Sequence, residues 1–73
     1  MELRKNKIKL SGRESDVLKL VSEGKSNCEI GHCLFISVHT VKAHLIDIYR
    51  KFQVHNRIQL VIRAVQLGFI SIE

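Results

Sequence analysis

The sequence predicts a small all-α fold, a four-helix domain, on three observations. The stretch Ser37 to Phe52, SVHTVKAHLIDIYRKF, repeats apolar residues at steps of three and four, which lines up one face of an α-helix. Serine followed three residues later by glutamate occurs at Ser11/Glu14 and Ser26/Glu29, the spacing at which each side chain satisfies the other's free amide at a helix start. The chain has no proline, and only 5 % of it is aromatic against 45 % hydrophobic, so nothing interrupts helices and strand-type residues are few. At 73 residues it holds one domain with a thin core.

Charge bounds the partner. A formal charge of +5 and a pI near 9.6 favour an anionic one, nucleic acid first and an acidic membrane surface second. No apolar run reaches the roughly 18 residues of a membrane span, and MELRKNKIKL lacks a signal-peptide core, so the expected location is cytoplasmic. No carboxylate pair, Cys-His dyad or phosphate-cradling glycine loop is present, which argues against an enzyme.

Residues 1–9 carry Arg4, Lys5, Lys7 and Lys9 with little apolar content and read as a basic flexible arm or a linker remnant. Such an arm is either a solvated tail or a tracker of phosphates and minor groove. The domain proper is 10–73. Its first helix starts after Ser11 and ends at Gly24, with Val17, Leu18, Leu20 and Val21 as apolar stripe and Leu10 packing just ahead of the cap.

Ser26 opens a second, shorter helix over about 27–34, with Ile30 and Leu34 as its core contacts. Gly31 inside it costs roughly 1 kcal/mol against alanine. Close approach of the next helix is the expected reason. Cys28 and Cys33 lie roughly 140° apart around this helix, too far to pair, and with His32 they lack the spacing of a metal site. Reduced, inert thiols, no metal and no cofactor are expected.

Phe35 and Ile36 make a tight turn and Ser37 caps the third helix, about 38–52. Helix, a short turn hydrophobic at its centre, then helix is the geometry of a groove reader. Val38, Val41, Leu45, Ile48 and Phe52 face inward. At about 100° per residue the outward surface collects His39, Ala43, Ile46, Asp47 and Arg50, flanked by Lys42 and His44. A surface small in its middle and basic at its rim suits a DNA major groove.

Each of these side chains has a plainer reading. Lys42 is by default a solvated charge, and His44, beside the core stripe, is as much a packing residue as a phosphate contact. His39 lies on the groove face near the helix start, where Thr40 can bond a phosphate through its hydroxyl. Arg50 and Lys51 also suit the C-terminal helix dipole, while backbone contact by Arg50 stays open. At Arg57 a structural salt bridge with an acidic residue competes with DNA contact, and the structural reading is favoured.

Asn56 with Gln59 gives a third capping-box spacing, and Gly68 closes the fourth helix. This helix has two apolar stripes: Leu60, Ala64 and Leu67 with Val61 beside them, and Ile58, Ile62 and Val65 roughly opposite. So small a domain cannot cover both, which makes one a candidate homodimer interface and the alternative a loosely covered surface. Phe69, Ile70 and Ile72 are expected to fold back as a C-terminal plug.

Taken in register, Leu10-Ser11, Arg13-Glu14, Val17-Leu18, Gly24, Ser26-Asn27, Glu29-Ile30, Leu34, Ile36-Ser37, Thr40-Val41-Lys42, His44-Leu45, Ile48-Tyr49, Lys51, Val54, Asn56-Arg57, Ala64 and Gly68 resemble the LuxR-type helix-turn-helix domain. This is the DNA-binding half of NarL/FixJ response regulators and of quorum-sensing regulators, and the resemblance covers residues 10–70. It implies an output domain that binds double-stranded promoter DNA as a homodimer, with RNA polymerase a candidate further partner and no membrane or small-molecule ligand in this domain. Lys42 then resembles the family's main base and phosphate contact, Ala43 and Ile46 fall at positions that meet base edges, and Ile58, Ile62 and Val65 become the dimer stripe.

Three positions depart from that pattern. Cys28 replaces a usual lysine, which weakens any phosphate contact from helix 2. Gly31 replaces alanine. Ile46 stands where a polar or basic residue is common, which suggests a thymine methyl contact in place of a hydrogen bond. The rival from another class is a protein-interaction module using the helix 4 stripe or the Ile46 patch, and within DNA binding a σ-factor-like promoter module.

Overall fold

The computed structural model describes residues 8–71, in which four helices follow one another: α1 Gly12–Ser22, α2 Asn27–Leu34, α3 Val38–Phe52 and α4 Arg57–Gln66. No strand occurs among the described residues. The expected all-α architecture is the observed one, and its boundaries follow from local chemistry.

At α1 the Ser11 hydroxyl accepts from the Glu14 amide at 3.1 Å while the Glu14 carboxylate accepts from the Ser11 amide at 2.9 Å. Ser26 and Glu29 repeat this at α2, at 3.1 and 2.8 Å. Both reciprocal boxes form as the spacing predicts. At α4 only half of one forms. Asn56 accepts from the Gln59 amide, but the Gln59 side chain accepts from the His55 amide, one residue earlier than the expected partner. Gly24 and Gly68, at φ +84 and +83, turn the chain after α1 and α4 in the left-handed conformation that glycine adopts without a Cβ penalty.

The core is built on α3, which packs against each of the other three helices. Val41, Leu45, Ile48 and Phe52 of its inner stripe meet Val17, Leu18 and Val21 of α1, Ile30 of α2, and Leu60 and Ala64 of α4, with Val54 closing the far end. Phe52, Leu18, Ile30, Ile48 and Leu60 are buried completely or nearly so. Burying one such side chain is worth about 1.5–3 kcal/mol, so in a core this small each carries a substantial share of the fold. The C-terminal plug is present in Phe69 and Ile70, the Phe69 ring meeting Phe52 edge-on with centroids 5.1 Å apart. Ile72 lies outside the described residues.

Four expectations are corrected. Val38 does not join the inner stripe: it is the first residue of α3, at the edge of that stripe, and 37 % exposed. Only half of the hydrophobic turn faces inward: Ile36 packs against the core, whereas Phe35 stands 94 % exposed at φ +60. Gly31 answers to the turn and the very start of α3 in place of the helix body: a Cβ there would lie 2.6 Å from the Ile36 carbonyl oxygen and 3.6 Å from the Val38 amide nitrogen. Residues 8 and 9 belong to the body, as Ile8 packs on the core and the Lys9 carbonyl accepts from Lys51. The rest of the expected arm, 1–7, lies outside the described residues.

Candidate nucleic-acid interface

The helix α3 is held at both ends and down one side, which leaves its other side exposed. Ser37 caps its start, accepting from the Thr40 amide at 3.0 Å, and the Thr40 hydroxyl sits 3.0 Å from the same Ser37 oxygen. Thr40 is therefore already engaged in the cap, half-buried. The last turn is fixed by Lys51, whose ammonium donates to the Glu14 carboxylate at 2.6 Å and to the Lys9 carbonyl at 2.8 Å. Glu14 is buried, and its carboxyl is held below its ordinary value of 4.5 chiefly by the hydrogen bond from Lys51, with burial opposing and the Ser11 amide assisting. Sequence reasoning gave Lys51 to the helix dipole and missed this pair, because its partner lies 37 residues away.

Between those anchors the outward side chains stand as the helical arithmetic placed them. His39, Lys42, Ala43, Ile46 and Arg50 are exposed, Ile46 to 63 %. None of the ion pairs among the described residues engages Lys42. Arg50 donates to Asp47 at 2.9 Å, an exposed pair one turn apart on the same helix. His44 is half-buried and close enough to Glu14 to favour its ionised form, so it stands apart from the exposed set.

On α4, Leu60 and Ala64 are buried and Val61 and Leu67 pack beside them, while Ile58 is 74 % and Ile62 52 % exposed, with Val65 half-buried. The outer stripe thus separates from the inner one. Arg57 is structural, but its partners are neutral: it donates to the Asn27 side chain at 2.9 Å and the Lys25 carbonyl at 2.8 Å. Arg63 donates to the Phe52 carbonyl at 2.9 Å. These two arginines tie α4 to the α1–α2 turn and to the end of α3. Cys28 and Cys33 are exposed free thiols, and no cluster of three or more metal-ligating side chains occurs among the described residues. No helix there is long and apolar enough to cross a membrane.

Two capped helices joined by a short turn, the second carrying an exposed face between fixed ends, define a helix-turn-helix module. Comparison with known proteins gives the family. The model of the luxR family of bacterial regulatory proteins matches residues 9–64, and the chain belongs to that family of DNA-binding transcription regulators. Over 63 residues it is 40 % identical to the uncharacterized response regulatory protein YgeK of Escherichia coli K12, covering 86 % of this chain and 43 % of YgeK. Over 72 residues it is 39 % identical to the transcriptional regulatory protein DegU of Brevibacillus brevis, covering 99 % of this chain and 30 % of DegU. The chain thus spans less than half the length of either relative.

Solved structures agree. The response regulator ChrA of a heme-sensing two-component system superposes with a TM-score of 0.82 at 42 % identity, over 85 % of this chain and 31 % of ChrA. The transcription factor GerE superposes with a TM-score of 0.80 at 31 % identity, over 88 % of this chain and 96 % of GerE.

Proposed function

We propose that this chain is a non-catalytic, sequence-specific reader of double-stranded promoter DNA, with α3 in the major groove and a second copy paired through the outer stripe of α4. The observation that carries the reading is the exposed face of α3 between its fixed ends, with Lys42 at its flank and His39 on its outward line. Phosphates near the groove meet Lys42 and His39, with Arg50 toward the end of the helix; Thr40 and His44, half-buried, stand at the rim of that contact. Ala43 and Ile46 meet base edges.

Affinity in this arrangement comes mainly from neutralising phosphates and discrimination from the few side chains that reach bases. Dimerisation follows from the exposure of Ile58 and Ile62 on one line with Val65, aliphatic surface that a second copy covers by presenting the same stripe. Two half-sites about one helical turn apart are then read together.

The test is Lys42→Ala in a titration against duplex DNA at several salt concentrations. Loss of one phosphate contact should weaken binding roughly tenfold at low salt and reduce the slope of log affinity against log salt by about 1. Unchanged affinity and slope would remove α3 from the groove and favour a protein-interaction role for the apolar patches.

A further inference from the structure

Along its outward line α3 changes character in three steps. His39 and Lys42 present polar and charged groups in the first two turns, Ala43 and Ile46 are apolar in the middle, and Arg50 comes last with its guanidinium held by Asp47 at 2.9 Å. Ala43 and Ile46, at the centre of the face, therefore offer neither donor nor acceptor from their side chains, and the neighbouring Asp47 carboxylate is taken up by Arg50. Ile46 is 63 % exposed, a β-branched aliphatic group that gains from being covered. Ala43, three residues earlier and also exposed, lies about 4.5 Å along the axis, on the same side of the helix.

An aliphatic side chain cannot read the hydrogen-bonding pattern of a base pair. What it can read in a major groove is the one apolar feature there, the 5-methyl group of thymine. We propose that Ile46, with Ala43 beside it, packs on a thymine methyl and makes that T·A pair a specificity-determining position at the centre of each half-site. The inference rests on the docking of α3 in the groove and adds to it the chemical group being read. It also separates two roles within one helix, charge at Lys42 setting affinity for any sequence and shape at Ile46 choosing among sequences.

The experiment uses the preferred duplex obtained by selection from a random pool, with each thymine replaced in turn by deoxyuridine. That change removes the methyl and leaves the hydrogen-bonding edge intact. Affinities are measured by fluorescence anisotropy for the unaltered chain, for Ile46→Ala and for Lys42→Ala, with circular dichroism to verify that the variants fold. One or two thymines per half-site should lose about fourfold in affinity on methyl removal, the value of one buried carbon. Ile46→Ala should bind thymine and uracil duplexes equally, and Lys42→Ala should keep the difference while weakening both.

If uracil is neutral at every position while Lys42→Ala still weakens binding, the methyl contact is wrong and groove docking stands. If Ile46→Ala keeps the uracil penalty, the methyl is read elsewhere and the assignment to Ile46 is overturned. If neither uracil nor Lys42→Ala changes affinity, the docking itself fails and the inference with it.

Discussion

Helices α3 and α4 each bury one stripe and expose another, and the exposed stripes differ in chemistry. On α3 the outward line mixes His39, Lys42 and Arg50 with Ala43 and Ile46, while on α4 it runs Ile58, Ile62 and Val65. The arginines of α4 show the same division from the other side: Arg57 and Arg63 reach carbonyl and amide oxygens of the body, so α4 keeps both its cations inside the fold, while α3 ties down Lys51 and leaves Lys42 and Arg50 exposed. A charged, narrow surface suits a polyanion, whereas a bare aliphatic one suits its own copy. In the proposed reading one small domain holds two docking surfaces, each on the exposed side of a helix whose other side is in the core.

The largest effect should come from breaking the aliphatic stripe. Ile62→Glu puts an unpaired carboxylate where two copies would meet, and burial of such a charge costs several kcal/mol, so affinity for a duplex with two half-sites should fall by at least about 100-fold. Affinity for a single half-site should stay close to that of the unaltered chain, and sedimentation should show monomer. A dimer that persists would assign pairing to another surface and leave α4 as uncovered apolar area.

The contrast also presupposes that α3 is anchored by groups other than those on its outward line. Glu14→Ala removes the carboxylate that joins the Ser11 cap to Lys51, and should lower stability by about 2 kcal/mol in urea unfolding, since the lysine left behind is partly open to water. DNA affinity of the folded fraction should hold. The same group sets a pH dependence. Its folded-state value is depressed, so its contribution is complete above the ordinary carboxylate value of 4.5 and is lost as pH falls from there through the lower folded value. Unfolding midpoints that decline equally with acid in the chain and in Glu14→Ala would show that this carboxylate is not the group responsible.

The smallest expected effect sharpens the α3 surface itself. Asp47→Asn removes a negative charge and releases Arg50, so affinity for any duplex should rise about two- to threefold at low salt. No change would place Arg50 beyond reach of the phosphates.

What the sequence made legible was what nearby residues decide. The Ser11/Glu14 and Ser26/Glu29 boxes and the Ser37 cap set where α1, α2 and α3 begin, and steps of three and four set which side of α3 is buried from Val41 to Phe52. The exposed set from His39 to Arg50 was legible for the same reason, since helical geometry alone fixes what points away from the core. Contacts across the chain were not. Lys51 with Glu14, and Arg57 with Asn27 and Lys25, join residues 30 or more apart, and nothing in local spacing distinguishes such cations from solvated ones. Local rules also fail at ends: Val38 lies on the inward side by angle but is the first residue of its helix, and Gln59 reaches His55 in place of Asn56.

The central claim is that the outward face of α3, and not the stripe of α4, meets DNA. Following backbone amides by NMR while adding random-sequence duplex at two salt concentrations tests it most directly. Shifts concentrated on residues 38–51 that weaken steeply with added salt are the predicted result. Shifts confined to 58–65, or none at low salt despite the +5 charge, would contradict it.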